Sequence, residues 1–543
     1  MLLKKKNIWL LAFIFSLFYF SGCRKGPSYW DDDFVAPIAH GGLSLGNLFP
    51  DSTIKSNSDS SLKIAFESTL INYQLDSLLQ MPETTLTTSF IFNYGVDSTS
   101  LTPGMNIPLS TNSVTPNYYN LPNGVQLKKA IIKQGGISFV MHNTVYKKLI
   151  YRYQLLSATK NYKILDTTFK IPKAISASQP GILSGYIDLS GYTIDFTGTN
   201  HNEYNVTEEI DSVHIDPNET PGYLYNNQGF TATFQFKSIT PQYALGYFGN
   251  QIINVGPDTT AFAIFNTIKS GILNLNSAKI DLRIVNEFGV SMKASINYLS
   301  SISTANSKTV TINGSNSTPL QTPIIVNAAL NTGTGATALT KTISINTTNT
   351  PTLTTFIGIL PNKFAYKLST QINPYGNLSL GNDFGYYGTA FKALMDVDIP
   401  LYFSASNLIL GDTVKFNLSG VNQLQNINRG QLILTAVNGY PFSINLQAYL
   451  LDDTKHVMDS LFLAPNTINA PALDGNYKVV APVQSKLFVP LTKDKIAKVQ
   501  KAKYIYYKAK FNTVGQPTQQ IKFYNYYNLD LLLTADVNYT IGK

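Results

Sequence analysis

Apolar and polar residues alternate in many short runs of this chain, among them Thr231–Phe236 (TATFQF), Ile280–Ile284 (IDLRI) and Leu432–Ala436 (LILTA). A period of two sends successive side chains to opposite faces, so these runs predict half-buried strands. Turn-forming clusters stand between them at Asn117–Gly124, Asp216–Pro221, Asn373–Asn377 and Asn512–Gln516. Strands punctuated in this way predict antiparallel sheets joined by hairpin and Greek-key connections, hence an all-β body. Helices should be few and short, at Ser68–Leu79, Thr259–Ser270 and Thr492–Lys503. The last has Thr492 as its cap and Ile496 and Val499 as its apolar side, and a strand over Tyr504–Phe511 should follow it.

One segment recurs three times. Ile137–Asn143 (ISFVMHN), Ile280–Asn286 (IDLRIVN) and Leu432–Asn438 (LILTAVN) keep apolar residues at alternate positions and end in Asn. Downstream and without a gap, Leu155-Leu156 and Leu450-Leu451 fall in step, with Tyr298-Leu299 in the middle copy. Tyr192–Phe236, Phe364–Leu401 and Tyr504–Ile541 then share a strand, a polar turn and a closing alternating strand. Repetition at this spacing predicts tandem antiparallel β-sandwich or curved-sheet units of domain size, placed at 61–249, 250–404 and 405–543. The recurrent Asn is expected to end or bend its strand by bonding nearby backbone. The first copy departs from the others, because Thr144-Val145 follows its Asn where the others carry Gly or Pro soon after.

The N-terminus carries a different pattern. Lys4, Lys5 and Lys6 precede an apolar run from Ile8 to Phe20, then Ser21-Gly22 and the only cysteine, Cys23. The run is short for a membrane span, and small residues before a cut are what a signal peptidase needs. This arrangement resembles the bacterial lipoprotein signal, which implies removal of residues 1–22, acylation of Cys23 and attachment to a membrane. Residues 23–60, rich in Gly, Pro, Ser and Asp, read as a flexible tether. Asp31, Asp32 and Asp33 within it resemble the surface-export signal of Bacteroidota lipoproteins. The whole layout is similar to envelope lipoproteins of that group and implies an outer-membrane address on either face. The repeated strand-Asn-aromatic pattern also resembles the late-embryogenesis-abundant type 2 domain and the tubular lipid-binding proteins, in which long curved strands enclose an apolar interior.

Composition narrows the function classes. With Cys23 acylated, thiol catalysis, disulfide frameworks and Cys-type zinc sites are excluded. The formal charge of +9 includes Lys4, Lys5 and Lys6, so the chain from Cys23 onward carries +6 over a large surface, which is no nucleic-acid footprint. One basic cluster stands out, Lys486, Lys493, Lys495, Lys498, Lys501, Lys503, Lys508 and Lys510, and it reads as a solvated helix and strand face.

Motif matches to catalytic sites fail on context. Gly42-Leu-Ser44-Leu-Gly46 fits the hydrolase nucleophile pattern but runs into Asn47-Leu-Phe-Pro50, which cannot start the helix that an elbow needs. Gly333–Ala338 fits a relaxed dinucleotide fingerprint, yet a strand pattern, Leu339–Ile345, follows it instead of a helix. The five histidines, His40, His142, His201, His214 and His456, form no ligand spacing, and Asp452, Asp453 and His456 read as a turn. No catalytic, cofactor-binding or metal-ligating residue is assigned, and no cofactor is expected. The expected function is a non-enzymatic interaction or scaffolding role for a lipid-anchored envelope protein, with the membrane as partner through Cys23 and other envelope proteins or lipid as further partners. Carriage of an apolar ligand and binding of surface carbohydrate are the alternatives.

Overall fold

The computed structural model describes residues 30–43, 53–79, 83–93, 97–107, 113–266, 268–416 and 426–541. Cys23 and Ser44 lie outside them. Strands dominate the described residues, and the ladders that build the sheets below are antiparallel, as the alternation predicts.

Three eight-stranded sandwiches share one topology. In the first, one sheet runs Gly181–Asp188, Gln126–Asn143, Gly229–Tyr247, Thr85–Ile91, and the other runs Lys163–Ile171, Leu149–Lys160, Val206–Ile215, Thr115–Tyr118. Numbered along the chain, these strands stand in the orders 6-3-8-1 and 5-4-7-2, which is the double Greek key of a jelly roll. In the second, Leu339–Asn346, Lys279–Asn286, Ala390–Pro400 and Leu62–Gln74 form one sheet; Lys308–Ile312, Met292–Ser303, Lys363–Ile372 and Ile252–Ala261 form the other. In the third, Val483–Pro490, Ile427–Asn438, Leu529–Ile541 and Trp30–Leu43 face Val457–Ser460, Phe442–Leu451, Tyr504–Thr513 and Tyr402–Lys415. The order is the same each time.

The rolls are wound inside one another along the chain. The first strands come in reverse order: Trp30–Leu43 for the third roll, Leu62–Gln74 for the second, Thr85–Ile91 for the first. The remaining seven strands of each roll then follow in the order first, second, third. The units expected at 61–249 and 405–543 and the tether expected at 23–60 are corrected accordingly. Trp30–Leu43 is a 14-residue strand on the closing strand of the third roll, and Leu62–Gln74 completes the second. Its position at an edge explains why Trp30–Leu43 tolerates Pro37 and three aspartates, which deter pairing of a free edge with other chains.

The chain forms two compact units. One, Lys63–Phe265 with Leu275–Pro400, holds the first and second rolls; the other, Met1–Leu62 as far as described with Asn266–Asn274 and Leu401–Lys543, holds the third. Within the first of these, Tyr243–Gly246 pairs with Asp383–Tyr386 and joins the two rolls through a strand. The buried Asp383 locks the joint, accepting from Phe248 N at 2.9 Å and from Asn373 Nδ2 at 2.7 Å.

Helices follow the local sequence. Lys493–Lys501 is helical with Thr492 Oγ1 accepting from Lys495 N, and Ile496 packs with Ile427 and Leu491. The helix expected at Thr259–Ser270 is instead strand to Ala261, a short 3-10 turn at Ala263–Phe265, and strand again from Ile268. β-branched Thr259 and Thr260 pair with Ala365 and Phe364, so the ladder wins over helix here. Ser68–Leu79 is likewise strand to Gln74, followed by the four-residue helix Leu75–Leu78. Among the described residues no helix is long and apolar enough to cross a membrane.

Candidate functional site

Each roll carries the same asparagine staple. Asn143 donates through Nδ2 to the carbonyls of Lys147 at 2.9 Å and Pro172 at 2.8 Å, while its Oδ1 accepts from Val145 N at 2.8 Å. Asn286 makes the same three bonds to Val290 (2.8 Å), Asn327 (2.9 Å) and Phe288 N (3.0 Å). Asn438 makes them to Phe442 (2.8 Å), Asn469 (2.8 Å) and Tyr440 N (3.0 Å). In every case the second carbonyl belongs to the residue directly after a strand that pairs with the fourth strand of the roll. All three side chains are fully buried, and each satisfies both of its amide protons. The repeat read from sequence is therefore structural, and its Asn residues act on backbone.

What the staples present differs. The second residue after the Asn is a buried apolar plug in all three rolls: Val145, Phe288 and Tyr440. The third is Gly289 in the second roll, where a Cβ would come within 2.0 Å of the Phe384 ring, and Pro441 in the third. In the first roll it is Tyr146, 38% exposed. The fourth is buried Val290 or Phe442 in the other two rolls but Lys147 here.

Lys147 ties this turn to the segment 219–222. Its Nζ donates to Thr220 Oγ1 at 2.9 Å and lies 3.9 Å from Glu219. The turn before that segment is set by Asp216, whose Oδ1 accepts from Asn218 N at 2.9 Å and whose carboxyl is held below its usual range by that bond. Gly222 then leads into the strand Gly222–Tyr225, and a Cβ at Gly222 would lie 2.6 Å from Lys147 Cε. The absence of a side chain there lets the lysine pass. Tyr223 and Tyr225, two positions apart on one face of that strand, are 57% and 46% exposed. Tyr225 meets Tyr146 at 6.2 Å between ring centroids and Tyr223 at 6.5 Å, with interplanar angles of 61° and 49°. Ile175, exposed beside this turn, follows Ala174, whose N–H bonds the Val145 carbonyl at 2.9 Å. The result is a pre-built aromatic corner on the first roll.

The same roll buries two carboxyls. Thr207, Glu209 and Asp211 share the inward face of Val206–Ile215, with Glu209 4% and Asp211 8% exposed. Burial, with Asp211 adding to it, pushes the Glu209 carboxyl up to about 7; burial raises Asp211 as well. Asn117 and Tyr153 face Glu209, while Tyr151 and Thr88 face Asp211, with Thr88 Oγ1 donating to Asp211 Oδ2 at 3.2 Å. Tyr153 stacks on Phe234 at 4.4 Å and Tyr151 packs on Phe230 at 5.2 Å, so rings from the two sheets close the interior over this pair. Both carboxyls are thus buried inside the sandwich.

The other residues singled out in sequence take structural places. Asp31 Oδ1 accepts from Asn428 Nδ2 and Thr540 Oγ1, and Asp33 Oδ1 from Asn538 Nδ2. Asp452 Oδ1 accepts from the backbone of Thr454 and His456 and forms the turn expected there. Lys495 and Lys498 both reach Asp459, at 3.0 and 3.3 Å, which neutralises part of the basic cluster. Gly333–Ala338 lies in a loop with a two-residue ladder, followed by the strand Leu339–Asn346. Among the described residues no group of three or more acidic, His or Cys side chains could hold a metal. The tyrosines of the corner were not singled out in the sequence; the departure of the first copy after its Asn is a signal for Tyr146, and nothing in the sequence brings Tyr223 and Tyr225 to it.

No protein-family model matches the chain, and no curated protein matches it. Among solved structures, it resembles a protein from Parabacteroides distasonis described as secreted, at a TM-score of 0.25 and 13% identity over 52% of this chain and 82% of that one. It also resembles PNGase F, a glycosylasparaginase from Flavobacterium meningosepticum, at 0.14 and 12% over 58% and 96%. The VP2 subviral particle of infectious bursal disease virus is matched at 0.13 and 8% over 92% and 86%. At these TM-scores the likenesses carry no argument about function.

Proposed function

We propose that this chain is a lipid-anchored envelope protein with a non-enzymatic recognition role, in which three jelly rolls serve as scaffold and the aromatic corner of the first roll meets the partner. The observation that carries this reading is internal. Three copies of one staple hold the same backbone, and the first alone replaces Gly289 or Pro441 with a half-exposed tyrosine and braces a second aromatic strand against it. Conserved-looking scaffolding with one divergent, solvent-facing turn is where recognition is expected, because loops on a rigid sandwich can change without loss of the core.

The anchor fits the same picture. Cys23 stands seven positions before Trp30, so an extended chain would keep the start of the third roll within about 25 Å of an acylated Cys23. Carriage of an apolar ligand has less support, since side chains fill the interior of the first roll. The test is site-specific photo-crosslinking from position 225 in cells that produce the full chain. A crosslink to an envelope component, lost in the Cys23→Ala chain that is released from the membrane, supports the reading; no crosslink at 225 overturns it.

A further inference from the structure

We infer that the aromatic corner binds a neutral oligosaccharide, an inference that rests on the recognition reading above. Three observations point to this ligand. First, the surface is amphipathic and small. Tyr146, Tyr223 and Tyr225, each carrying an apolar ring and a phenolic hydroxyl, are 38%, 57% and 46% exposed, about 300 Å² in all if each tyrosine offers some 150–250 Å². A stable protein partner takes about 800 Å² from each side, so the corner suits a few sugar units better than a folded domain. The C–H faces of a pyranose pack on aromatic rings, while its hydroxyls bond phenol oxygens and backbone at the rim.

Second, the exposed side chains that form the corner, Tyr146, Ile175, Tyr223 and Tyr225, carry no charge, and the charge beneath them is paired. Lys147 is turned under the turn, beside Glu219 and hydrogen-bonded to Thr220, and both charged side chains are largely covered. Ile175 extends the apolar rim, and Asn226 and Asn227 follow Tyr225 in the turn after its strand. Third, the rings are fixed in advance. Tyr146 rides on the Asn143 staple, Tyr223 and Tyr225 on a strand paired with Ser98–Leu101, and the Lys147 strap joins the two. Rings packed against one another at 61° and 49° lose little entropy on binding, which favours a weakly interacting ligand such as a sugar.

The experiment uses the full chain purified from membranes in a sugar-free detergent. Affinity electrophoresis is run in gels containing α-mannan, β-1,4-xylan, β-1,3-glucan, dextran or soluble chitin oligomers, with polygalacturonate and heparin as acidic controls. Retardation by at least one neutral polymer, weakened tenfold or more in both Tyr225→Ala and Tyr146→Ala, is the expected result. Urea midpoints equal to that of the unaltered chain show that the variants remain folded. The inference is overturned if no neutral polymer retards the chain, if only the acidic polymers do, or if the tyrosine variants bind as well as the original. A protein crosslinked from position 225 in a chain that binds no polysaccharide overturns the sugar inference and leaves the recognition reading standing. Silence in both experiments removes both.

Discussion

Asn143 and Lys147 are joined by a 2.9 Å hydrogen bond from a fully buried side-chain amide to a backbone carbonyl, and the same bond recurs in the other two rolls. That bond sets the geometry of the turn, and the side chain of the residue that accepts it then braces the aromatic corner.

Removing a staple should therefore cost far more than removing what it presents. Asn286→Ala strips partners from the carbonyls of Val290 and Asn327 and from the Phe288 amide, an expected loss of roughly 3 to 5 kcal/mol. Tyr146→Ala, at an exposed position, should stay within about 0.5 kcal/mol of the unaltered chain. Urea denaturation followed by circular dichroism checks both, and equal losses would show that the staple does not carry the turn.

Glu209 links stability to pH. Its folded pKa, about 7, lies above the ordinary value of 4.5, so the folded state holds the proton more tightly than the unfolded one. The stabilisation is complete below 4.5 and is lost as pH rises through about 7, a change on the order of 3 kcal/mol. Asp211, also raised, acts in the same direction. Urea midpoints measured from pH 5 to 8 should fall for the unaltered chain and fall much less for Glu209→Gln; parallel curves would contradict the assignment.

Asp383 holds the first and second rolls at their shared joint. Asp383→Ala leaves Phe248 N and the Asn373 amide without their shared carboxylate, with an expected cost of roughly 2 to 4 kcal/mol. Proteolysis should then cut first in the linker around Phe248–Gln251. Unchanged proteolysis would place the strength of the joint elsewhere.

Much of this architecture is written locally. Alternation marked the strands, Thr492 and Ile496 marked the helix they bound, and three Asn-terminated segments marked the repeat. The nesting was not legible, because Trp30 pairs with Ile541 across almost the full sequence and Lys63 with Pro400 across more than half of it, and an edge strand carrying Pro37, Gly41 and three aspartates has the composition of a loop. Glu209 and Asp211 share a period-two face with Val213 and Ile215, but acidic residues on such a face ordinarily point to solvent; only the pairing of Val206–Ile215 between two strands turned them inward. The aromatic corner was half legible. Thr144-Val145 showed that the first turn departs from its copies, whereas Tyr223 and Tyr225 join Tyr146 only through the fold.

The nesting is the claim on which the reading of the units rests, and Ala36 and Ala535 test it, since they face each other across the first and last strands of the third roll. A chain with Ala36→Cys and Ala535→Cys, produced without Cys23, contains only those two thiols. Cross-strand partners stand at a separation that a disulfide can span. Mild oxidation of the monomer should close a single intramolecular bridge, seen as faster migration on a non-reducing gel and as a mass lower by two hydrogens. Two free thiols, or bridges formed only between molecules, would contradict the nested fold.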